Sequence, residues 1–462
     1  VTAREAAGLV VVHTCCVTAE AERKSRRFVR RAAAGGRRVV VTGCAARLHP
    51  EQFEGVGVTV EAHPDWLAVA AAELADGRPG AGGCGGRGGR NGCAVGSGGG
   101  GGRPPGCDTT GDTTGDTTGD TTGGIAAGAS SGTAGGAASD GRATRGRDGF
   151  DRGSPGASRR AAPGSTDGVA ARATPGARTR LVLKVQDGCA GACAYCVVRL
   201  VRGRPESLPL AGALTAARAG LERGCGEVVL SGIDLGAWRD GDACLPDLVA
   251  AIADLDGLRR VRLSSLEPRH VDARLLELLG HPRVARHLHV PLQSADDGVL
   301  RAMRRPYTFA GYLRAVEPLQ REHDGAMLST DVIVGYPTED EAAFARTLDA
   351  LEGGLFGRAH VFAYSARPGT AAAELPPLPA ALVKERMGRA LAAGETAALA
   401  ARRAAIGRRA EVLVEERRDG LWRGYSSEYI RYALRGAARR GELVGAVADE
   451  VVGGGVIGSV RT

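Results

Sequence analysis

Apolar runs alternate with amphipathic helical patterns in the first part of the chain. Apolar, β-branched runs predict three strands, at 10–13, 37–44 and 58–63. Between the first two lies a helical pattern rich in Arg and Glu, from Thr18 to about Ala34. Strands that alternate with helices are typical of a parallel sheet. We therefore expect an N-terminal α/β domain over residues 1–76.

The same alternation returns over residues 179–403. Strand patterns lie at 181–185, 227–230, 259–265, 287–293, 328–336 and 359–365. Helical patterns separate them, for example at 245–255, 272–279, 308–323 and 341–352. Six βα units are too few to close an eight-stranded barrel. We therefore expect an α/β fold built on an open, partial (βα)6 barrel, with its chemistry at the C-terminal ends of the strands.

Short strand patterns and frequent glycines mark the end of the chain, residues 404–462. The patterns lie at 409–416, 421–434 and 441–460. This spacing predicts a small, separate β-barrel.

Residues 77–178 have a different composition. Gly, Ser, Thr, Asp and Arg dominate, and the tetrapeptide DTTG occurs four times in succession over 108–123. No apolar period is visible, so the segment cannot bury enough surface to offset the entropy lost on ordering. We predict a disordered linker.

Charge and cysteine usage narrow the class of protein. The 462-residue chain has 60 basic and 52 acidic residues, and all but three of the basic residues are Arg. Arginine suits bidentate phosphate contacts, although a genome rich in Arg, Ala and Gly codons gives the same bias. No apolar run approaches the roughly 20 residues that span a bilayer, and no signal peptide is visible. Eleven cysteines then favour metal or redox use over disulfides.

The strongest chemical signal is the spacing C-x3-C-x2-C formed by Cys189, Cys193 and Cys196, directly after the first barrel strand. Three thiolates on one tight loop can hold three irons of a 4Fe-4S cluster and leave the fourth iron open. Zinc and three coincidental core cysteines are the alternatives. A structural zinc ion would need a fourth ligand nearby, and none follows within the loop.

This loop resembles that of the radical S-adenosylmethionine (SAM) enzymes. The resemblance implies that the amino and carboxylate groups of SAM bind the open iron. One electron then cleaves SAM to a 5′-deoxyadenosyl radical, which abstracts hydrogen from an unreactive carbon. Tyr195 occupies the aromatic position that packs near the adenine of SAM in this superfamily. A plain core tyrosine is the alternative reading.

The order of further motifs resembles the radical SAM methylthiotransferases. His13 stands where their first motif has Asn. The matching segments are HTCCVT (13–18), VTGCAA (41–46), VQDGCAGACAYC (185–196), RGR (202–204), LSGIDLG (230–236), SSLEP (264–268), HVPLQS (289–294), RAMRRPYT (301–308), TDVIVGYPTED (330–340) and VFAYSARPGTAAAEL (361–375). The resemblance covers the chain apart from 77–178.

The family carries a second, auxiliary 4Fe-4S cluster held by three N-terminal cysteines. Cys15 and Cys44 match two of these ligands. The third belongs to an L-G-C-x-x-N segment that would precede Val1, so the given start is truncated or the auxiliary site is incomplete. Cys16 cannot easily reach the same set of ligands. The remaining cysteines are expected in the linker (Cys84, Cys93, Cys107) or in the core (Cys225, Cys244).

Polar and small residues follow the barrel strands and are candidate contacts of SAM or substrate. A purely structural role is the alternative for each. They are Ser231 and Gly232 after the second strand, Ser265 and Glu267 after the third, Gln293 and Ser294 after the fourth, and Asp331, Gly335 and Pro337 in or after the fifth.

The last 60 residues resemble the TRAM module, a small β-barrel associated with RNA binding. Arg423, Tyr425 and Tyr429 would stack on unpaired bases and contact phosphate. An edge strand with exposed tyrosines is the alternative. A basic helix near 402–409 is a second candidate RNA contact or a solvated face.

The family acts on isopentenyladenosine in tRNA, on threonylcarbamoyladenosine in tRNA, or on an aspartate of a ribosomal protein. HVFAYS (360–365) and the Y-S-x-x-Y segment at 425–429 look most like the threonylcarbamoyladenosine group. The expected reaction is methylthiolation of carbon 2 of that adenine at position 37 of tRNA, with two 4Fe-4S clusters and SAM. The alternatives are the isopentenyladenosine enzyme and a non-catalytic RNA-binding protein with a degenerate auxiliary site.

The expected partners follow from that reaction. They are the tRNA anticodon loop and an electron donor such as flavodoxin or ferredoxin, with no membrane. Oxygen-sensitive clusters without an export signal predict a cytoplasmic protein, and we expect a monomer.

Overall fold

The computed structural model describes residues 2–6, 9–14, 19–61 and 179–461. The predicted linker at 77–178 lies outside the described residues. So do Cys15, Cys16 and the three cysteines of the linker.

The N-terminal part forms a four-stranded sheet in the order β1-β2-β3-β4. Its elements are β1 (Thr2–Ala6), β2 (Leu9–Thr14), α1 (Ala19–Ala34), β3 (Arg38–Gly43), α2 (Cys44–Leu48) and β4 (Val58–Glu61). The three predicted strands are parallel to one another. Strand β1 was not predicted, because it is largely polar; it pairs antiparallel with β2 at the sheet edge.

The central part carries the six predicted strands within a longer series of elements. Its strands are β5 (Arg180–Lys184), β6 (Gln186–Asp187), β7 (Glu206–Ser207), β8 (Glu227–Ser231), β9 (Arg239–Asp240), β10 (Ala243–Cys244), β11 (Arg260–Leu263), β12 (His287–His289), β13 (Met327–Val334) and β14 (Arg358–Ala363). Its helices are α3 (Val198–Arg202), α4 (Leu210–Glu222), α5 (Leu245–Ala253), α6 (Ala273–Leu278), α7 (Asp297–Ala302), α8 (Phe309–Glu322), α9 (Glu341–Glu352) and α10 (Ala380–Ala404).

The long strands form two parallel sheets of three, β5-β8-β11 and β12-β13-β14. A parallel bridge between Ser265 and His289 links the two sheets. Aliphatic side chains of the strands and surrounding helices form one buried core. The strands therefore all deliver their C-terminal ends to the same edge of the molecule.

Local chemistry sets the helix boundaries. The side chains of Thr308 and Asp340 accept hydrogen bonds from Gly311 N and Ala343 N, and so cap α8 and α9. The predicted basic helix over 402–409 is wrong in extent, because α10 ends at Ala404. Gly407 follows with a φ of +76°, in the left-handed region that favours glycine, and β15 begins two residues later.

The C-terminal part is a closed five-stranded barrel in the order β15-β16-β17-β19-β18. Its strands are β15 (Arg409–Arg418), β16 (Leu421–Ser426), β17 (Arg431–Arg435), β18 (Leu443–Val452) and β19 (Gly455–Val460). The last two predicted strand runs each contain two strands. One run breaks where Tyr429 adopts a φ of +68°, and the other at Gly453 with a φ of +47°.

A buried charge network attaches this barrel to the N-terminal ends of the central strands. Glu227, with no exposed surface, pairs with Arg260 at 2.5 Å and with Arg262 at 3.1 Å. The two arginines also donate to main-chain oxygens of the barrel, at Tyr425 (2.9 Å), Ser426 (2.9 Å) and Ser427 (3.0 Å). The C-terminal barrel therefore lies at the end of the sheet opposite the cysteine loop. Across the described ranges, every helix is too short or too polar to cross a membrane.

Candidate metal centre

The three cysteines of the C-x3-C-x2-C motif lie on one loop beyond the C-terminal end of β5. Gly191 packs against two of their sulfurs: a Cβ added there would lie 3.2 Å from Cys189 Sγ and 3.8 Å from Cys193 Sγ. Its amide N donates to Cys189 Sγ at 3.2 Å, and Cys196 N donates to the Cys193 carbonyl at 3.1 Å. The glycine therefore leaves room beside the thiols of Cys189 and Cys193.

Neighbouring segments hold the loop in this shape. Gly188 has a φ of +70°, and a Cβ there would lie 2.0 Å from the Arg204 carbonyl oxygen. The Gln186 amide donates to the Gly188 carbonyl at 2.9 Å and accepts from Asp234 N at 2.7 Å. The loop is thus fixed to the segment that follows β8 before any ligand binds.

Burial makes two cysteine thiols of this loop harder to deprotonate. Burial, with the neighbouring Cys193 and Cys189 thiols, raises the pKa of Cys196 to about 11. Burial also raises the pKa of Cys189, and the carboxylate of Asp234 adds to this effect. Ligation needs thiolates, and the positive charge of bound iron would supply the missing stabilisation.

The three thiols fit a 4Fe-4S cluster with three protein ligands. A structural zinc ion takes four protein ligands, whereas three thiols on one loop can hold three irons of a 4Fe-4S cube. Gly191, against the sulfurs of Cys189 and Cys193, leaves room beside them.

One arginine that the sequence interpretation did not select lies against this loop. The Arg305 guanidinium donates to Cys193 Sγ at 3.3 Å, to Glu267 Oε2 at 2.5 Å and to Tyr307 Oη at 2.9 Å. Its side chain is 3% exposed. Burial lowers the pKa of Arg305, but Tyr195, Tyr307 and Glu267 outweigh it and raise that pKa. Arg305 is thus a fixed cation beside the proposed cluster.

Tyr195 packs under the loop. It lies in an apolar cluster with Ala194, Met303, Ile333 and Tyr336. Its phenol oxygen accepts from Arg305 at 3.5 Å. This position supports the loop, and the expected contact with the adenine of SAM stays a prediction.

The strand-end candidates divide into several kinds. A Cβ at Gly232 would lie 2.9 Å from the Gln186 side chain, so close packing explains this glycine. Ser231 ends β8 and is half-buried, Ser265 is exposed, and Glu267 is engaged by Arg305. Gln293 is buried and has a φ of +69°. Ser294 is fully buried, with its hydroxyl 3.3 Å from that of Thr347.

Asp331 belongs to a polar cluster that the sequence interpretation only partly found. His289 Nε2 lies 3.1 Å and His360 Nδ1 lies 3.3 Å from Asp331 Oδ1. Burial raises the pKa of Asp331, but hydrogen bonds from the two imidazoles outweigh it and lower that pKa to about 2. The Ser329 hydroxyl, 2.8 Å from His289 Nδ1, orients that ring. We call these three residues, His289, Asp331 and His360, the His–Asp–His cluster.

The His–Asp–His cluster lies near the cysteine loop. Ile333, which packs with Tyr195, is two residues beyond Asp331 on β13 and therefore shares its face of the sheet. His360 pairs with Asp331 across the β13–β14 ladder. That strand register is a property of the folded sheet and was not visible from the chain alone.

The N-terminal part meets the loop through Cys44. This buried residue begins α2, and its sulfur accepts from Arg202 Nε at 3.0 Å. Arg202 also pairs with Asp187, two residues before Cys189, at 3.0 Å. Val197 and Val201 complete the core of the N-terminal part. Cys44 therefore lies close to the proposed cluster, whereas Cys15 falls outside the described residues.

The other two described cysteines lie elsewhere. Cys225 is 4% exposed in the central core. The Cys244 sulfur lies 3.1 Å from an Asp247 carboxylate oxygen at the start of α5. Both positions agree with structural roles.

Two of the three predicted RNA-binding residues lie at the junction with the central part. The Arg180 guanidinium lies 5.0 Å from the centre of the Tyr425 ring, and that of Arg262 lies 4.4 Å from the centre of the Tyr429 ring. Both tyrosines are half-buried. Arg423 pairs with Asp419 at 3.2 Å. RNA binding by these residues stays a prediction, and the tyrosines already serve a contact between domains.

Comparisons with known proteins agree with this site. The model of the radical SAM superfamily matches residues 183–351, and that of the uncharacterized protein family UPF0004 matches residues 1–62. A tRNA-2-methylthio-N(6)-dimethylallyladenosine synthase of Cereibacter sphaeroides is 40% identical over 51% of this chain and 54% of its own length. The threonylcarbamoyladenosine tRNA methylthiotransferase MtaB of Thermotoga maritima is 34% identical over 56% of this chain and 61% of its own.

The chain spans little more than half the length of these curated relatives. Among solved structures, the radical SAM methyltransferase TsrM from Kitasatospora setae covers 42% of this chain and 38% of its own, with 20% identity and a TM-score of 0.36. The chain therefore matches the radical SAM model over its central part and the UPF0004 model at its start, and it is similar to relatives named as a tRNA-2-methylthio-N(6)-dimethylallyladenosine synthase and a threonylcarbamoyladenosine tRNA methylthiotransferase.

Proposed function

We propose that the protein is a radical SAM enzyme that adds a methylthio group to carbon 2 of N6-threonylcarbamoyladenosine at position 37 of tRNA. One observation carries the proposal: Cys189, Cys193 and Cys196 lie on one loop beyond the C-terminal end of β5, with Gly191 against the sulfurs of Cys189 and Cys193. The names of the relatives support tRNA as the substrate.

The residues around the loop have distinct tasks in this proposal. A 4Fe-4S cluster with SAM supplies radical chemistry when the three thiolates hold it. Arg305 offers a fixed positive charge, and Glu267 holds its guanidinium in place at 2.5 Å. Such a buried pair orients an anionic group with little reorganisation. We assign Arg305 to positioning the carboxylate of SAM.

A second cluster would be held from the N-terminal part. Cys44 is its described candidate ligand, and Arg202 Nε donates a hydrogen bond to that sulfur at 3.0 Å. Cys15 is the other candidate within the sequence. The contact of Arg202 with both Cys44 and Asp187 supports placing the two clusters on neighbouring surfaces.

The choice of substrate rests on polarity. The threonylcarbamoyl group carries a carboxylate and a hydroxyl, whereas the isopentenyl group is apolar. The His–Asp–His cluster presents imidazole and carboxylate groups near the loop, and His360 is 41% exposed. Polar side chains at a binding site favour a ligand that can form hydrogen bonds with them. The HVFAYS and Y-S-x-x-Y segments point the same way.

Isopentenyladenosine is the second candidate substrate. The relatives with 38–40% identity are named as dimethylallyladenosine synthases, and MtaB has 34%.

We also propose a TRAM-type role for the C-terminal barrel, with the anticodon loop as the tRNA contact. The electron donor would be a flavodoxin or ferredoxin, and the protein would be a cytoplasmic monomer.

Nucleoside analysis tests the substrate. In tRNA from a deletion strain, mass spectrometry should show loss of 2-methylthio-threonylcarbamoyladenosine, with recovery when the gene is restored. Loss of the 2-methylthio-isopentenyl nucleoside instead would establish the second candidate. No change in either nucleoside would refute a role as tRNA methylthiotransferase.

Iron content tests the enzyme against a non-catalytic RNA-binding protein. Anaerobic reconstitution should yield about eight irons per chain for two 4Fe-4S clusters, with release of 5′-deoxyadenosine from SAM. About four irons would leave only the cluster of the C-x3-C-x2-C loop. A colourless protein that still binds tRNA would favour the non-catalytic alternative.

A further inference from the structure

An arginine-lined cleft opens beside the candidate metal centre. We propose that it binds backbone phosphates of the substrate RNA, next to the point where the target base enters. We define the arginine cleft by Arg269, Arg301, Arg305, Arg314 and Tyr307. The proposal rests on the proposed function, because it concerns how the same tRNA is held.

The arginine cleft has the size and composition of an anion site. It encloses about 570 Å³ between the turn after β11, the end of α7 and the beginning of α8. Pro268 and Pro306 give it rigid walls. Asp297 is the one carboxylate in the described lining, and its Oδ1 already accepts from Phe309 N at 2.7 Å.

Two of the four guanidinium groups are free to bind a ligand. Arg269 pairs with Asp234 at 2.6 Å, and Arg305 pairs with Glu267. Arg301 and Arg314 are exposed, and neither has a carboxylate partner among the described residues. Unpaired, planar guanidinium groups match the geometry of phosphate oxygens.

The N-terminus of α8 adds to the positive charge of the arginine cleft. Its first turn, capped by Thr308, lies in the lining of the arginine cleft together with Gly311. The partial positive charge at a helix N-terminus favours anions. The 14-residue helix thus supports the two free arginines.

Arg305 connects the arginine cleft to the chemistry. It lines the cleft and also donates to Cys193 Sγ at 3.3 Å. An RNA strand bound by Arg301 and Arg314 would therefore run along the edge of the site.

Salt-dependent binding tests this inference. The probe is fluorescently labelled tRNA that carries threonylcarbamoyladenosine, and its dissociation constant is measured by anisotropy over a series of salt concentrations. Each phosphate contact contributes about 0.7–0.9 to the slope of log K against log salt. The Arg301→Gln/Arg314→Gln variant should lower the slope by about 1.4–1.8 and weaken binding at low salt.

The control lies on the same helix. Arg321→Gln removes an exposed arginine that pairs with Glu322 at 2.7 Å at the far end of α8. It should leave the slope unchanged. Iron content and SAM cleavage without tRNA should be unchanged in both variants, which shows that they fold.

The outcomes separate the two proposals. Wild-type protein that does not bind the tRNA contradicts the proposed function itself. Wild-type binding with an unchanged slope in the double variant overturns the role of the arginine cleft. Weaker binding with the wild-type slope does so as well, because the lost contact is then not to phosphate.

Discussion

At the scale of single residues, backbone conformation decides whether the cysteine loop can form. Gly188 and Gly203 both have positive φ values, +70° and +76°, but their surroundings differ. A Cβ at Gly188 would lie 2.0 Å from a carbonyl oxygen, whereas one at Gly203 would meet nothing within 4 Å. Alanine at Gly188 would therefore add a steric clash to backbone strain, whereas alanine at Gly203 would add backbone strain alone.

We expect Gly188→Ala to prevent assembly of the cluster. The alanine methyl group would push the loop away from Arg204 and separate Cys189 from its partners. Iron content and visible absorbance after anaerobic reconstitution measure the effect. Gly203→Ala, at a φ of +76° and a ψ of −154°, costs about 1–3 kcal/mol of backbone strain but meets no neighbouring atom, and it should retain both. Equal iron content in the two variants would contradict this role for Gly188.

The cysteines could be predicted from the sequence, and their partners could not. A short spacing identifies Cys189, Cys193 and Cys196, because the ligands of one cluster can lie on one loop. Arg305 reaches Cys193 across 112 residues. His360 meets Asp331 only through the strand register. Such contacts depend on tertiary structure and leave no local pattern.

At the scale of elements, a buried charge network joins the central sheet to the C-terminal barrel. Arg260 and Arg262 lie in β11, where polar residues suggest an exposed strand. Instead both are nearly fully buried and share the carboxylate of Glu227. Charge pairing across the junction thus overrides the alternation from which strand faces are predicted.

Glu227→Gln should destabilise the protein by about 3–5 kcal/mol, because it leaves two buried arginines without their counter-ion. Thermal unfolding of the cluster-free protein measures this loss. The exposed Glu222→Gln serves as the control and should have little effect. An equal melting temperature for the two variants would contradict the role of the network.

The same network has a pH signature. Burial raises the pKa of Glu227, but Arg262 and Arg260 outweigh it and lower that pKa below 4.5. A depressed pKa contributes stability that is present above the unfolded value and lost as pH falls through the folded value. The wild-type advantage over Glu227→Gln should therefore shrink below about pH 4.5.

Element types were easier to predict than element limits. The six long central strands were predicted because buried parallel strands read as apolar runs. Their ends were not, as β11 shows: it covers Arg260–Leu263 rather than 259–265. Glycine and left-handed residues divide the C-terminal runs, and a polar edge strand such as β1 carries no apolar signal.

At the scale of the whole molecule, the two ends of the central sheet serve different purposes. The C-terminal barrel occupies the N-terminal ends of the strands, and the cysteine loop lies at the C-terminal ends. Tyr425 and Tyr429 are engaged by Arg180 and Arg262 at the first end. Under the proposed function, access of RNA to the cysteine loop therefore depends on the loops at the other end.

The selection of the substrate should depend on the His–Asp–His cluster. His360→Phe replaces a half-exposed polar group with an apolar ring and frees one hydrogen bond of Asp331. We expect methylthiolation of threonylcarbamoyladenosine tRNA to fall about 10- to 150-fold, since one charge-assisted hydrogen bond is worth roughly 1.5–3 kcal/mol. Iron content and SAM cleavage without tRNA should stay at the wild-type level.

A matched substitution outside the sheet makes this result specific. His323 lies at the end of α8, so His323→Phe should leave methylthiolation unchanged. Unchanged activity of His360→Phe on the threonylcarbamoyl substrate would remove the polar argument for that substrate. If His360→Phe instead raises activity on isopentenyladenosine tRNA relative to the threonylcarbamoyl form, the side chain at this position sets the preference, because an apolar wall suits an apolar substituent.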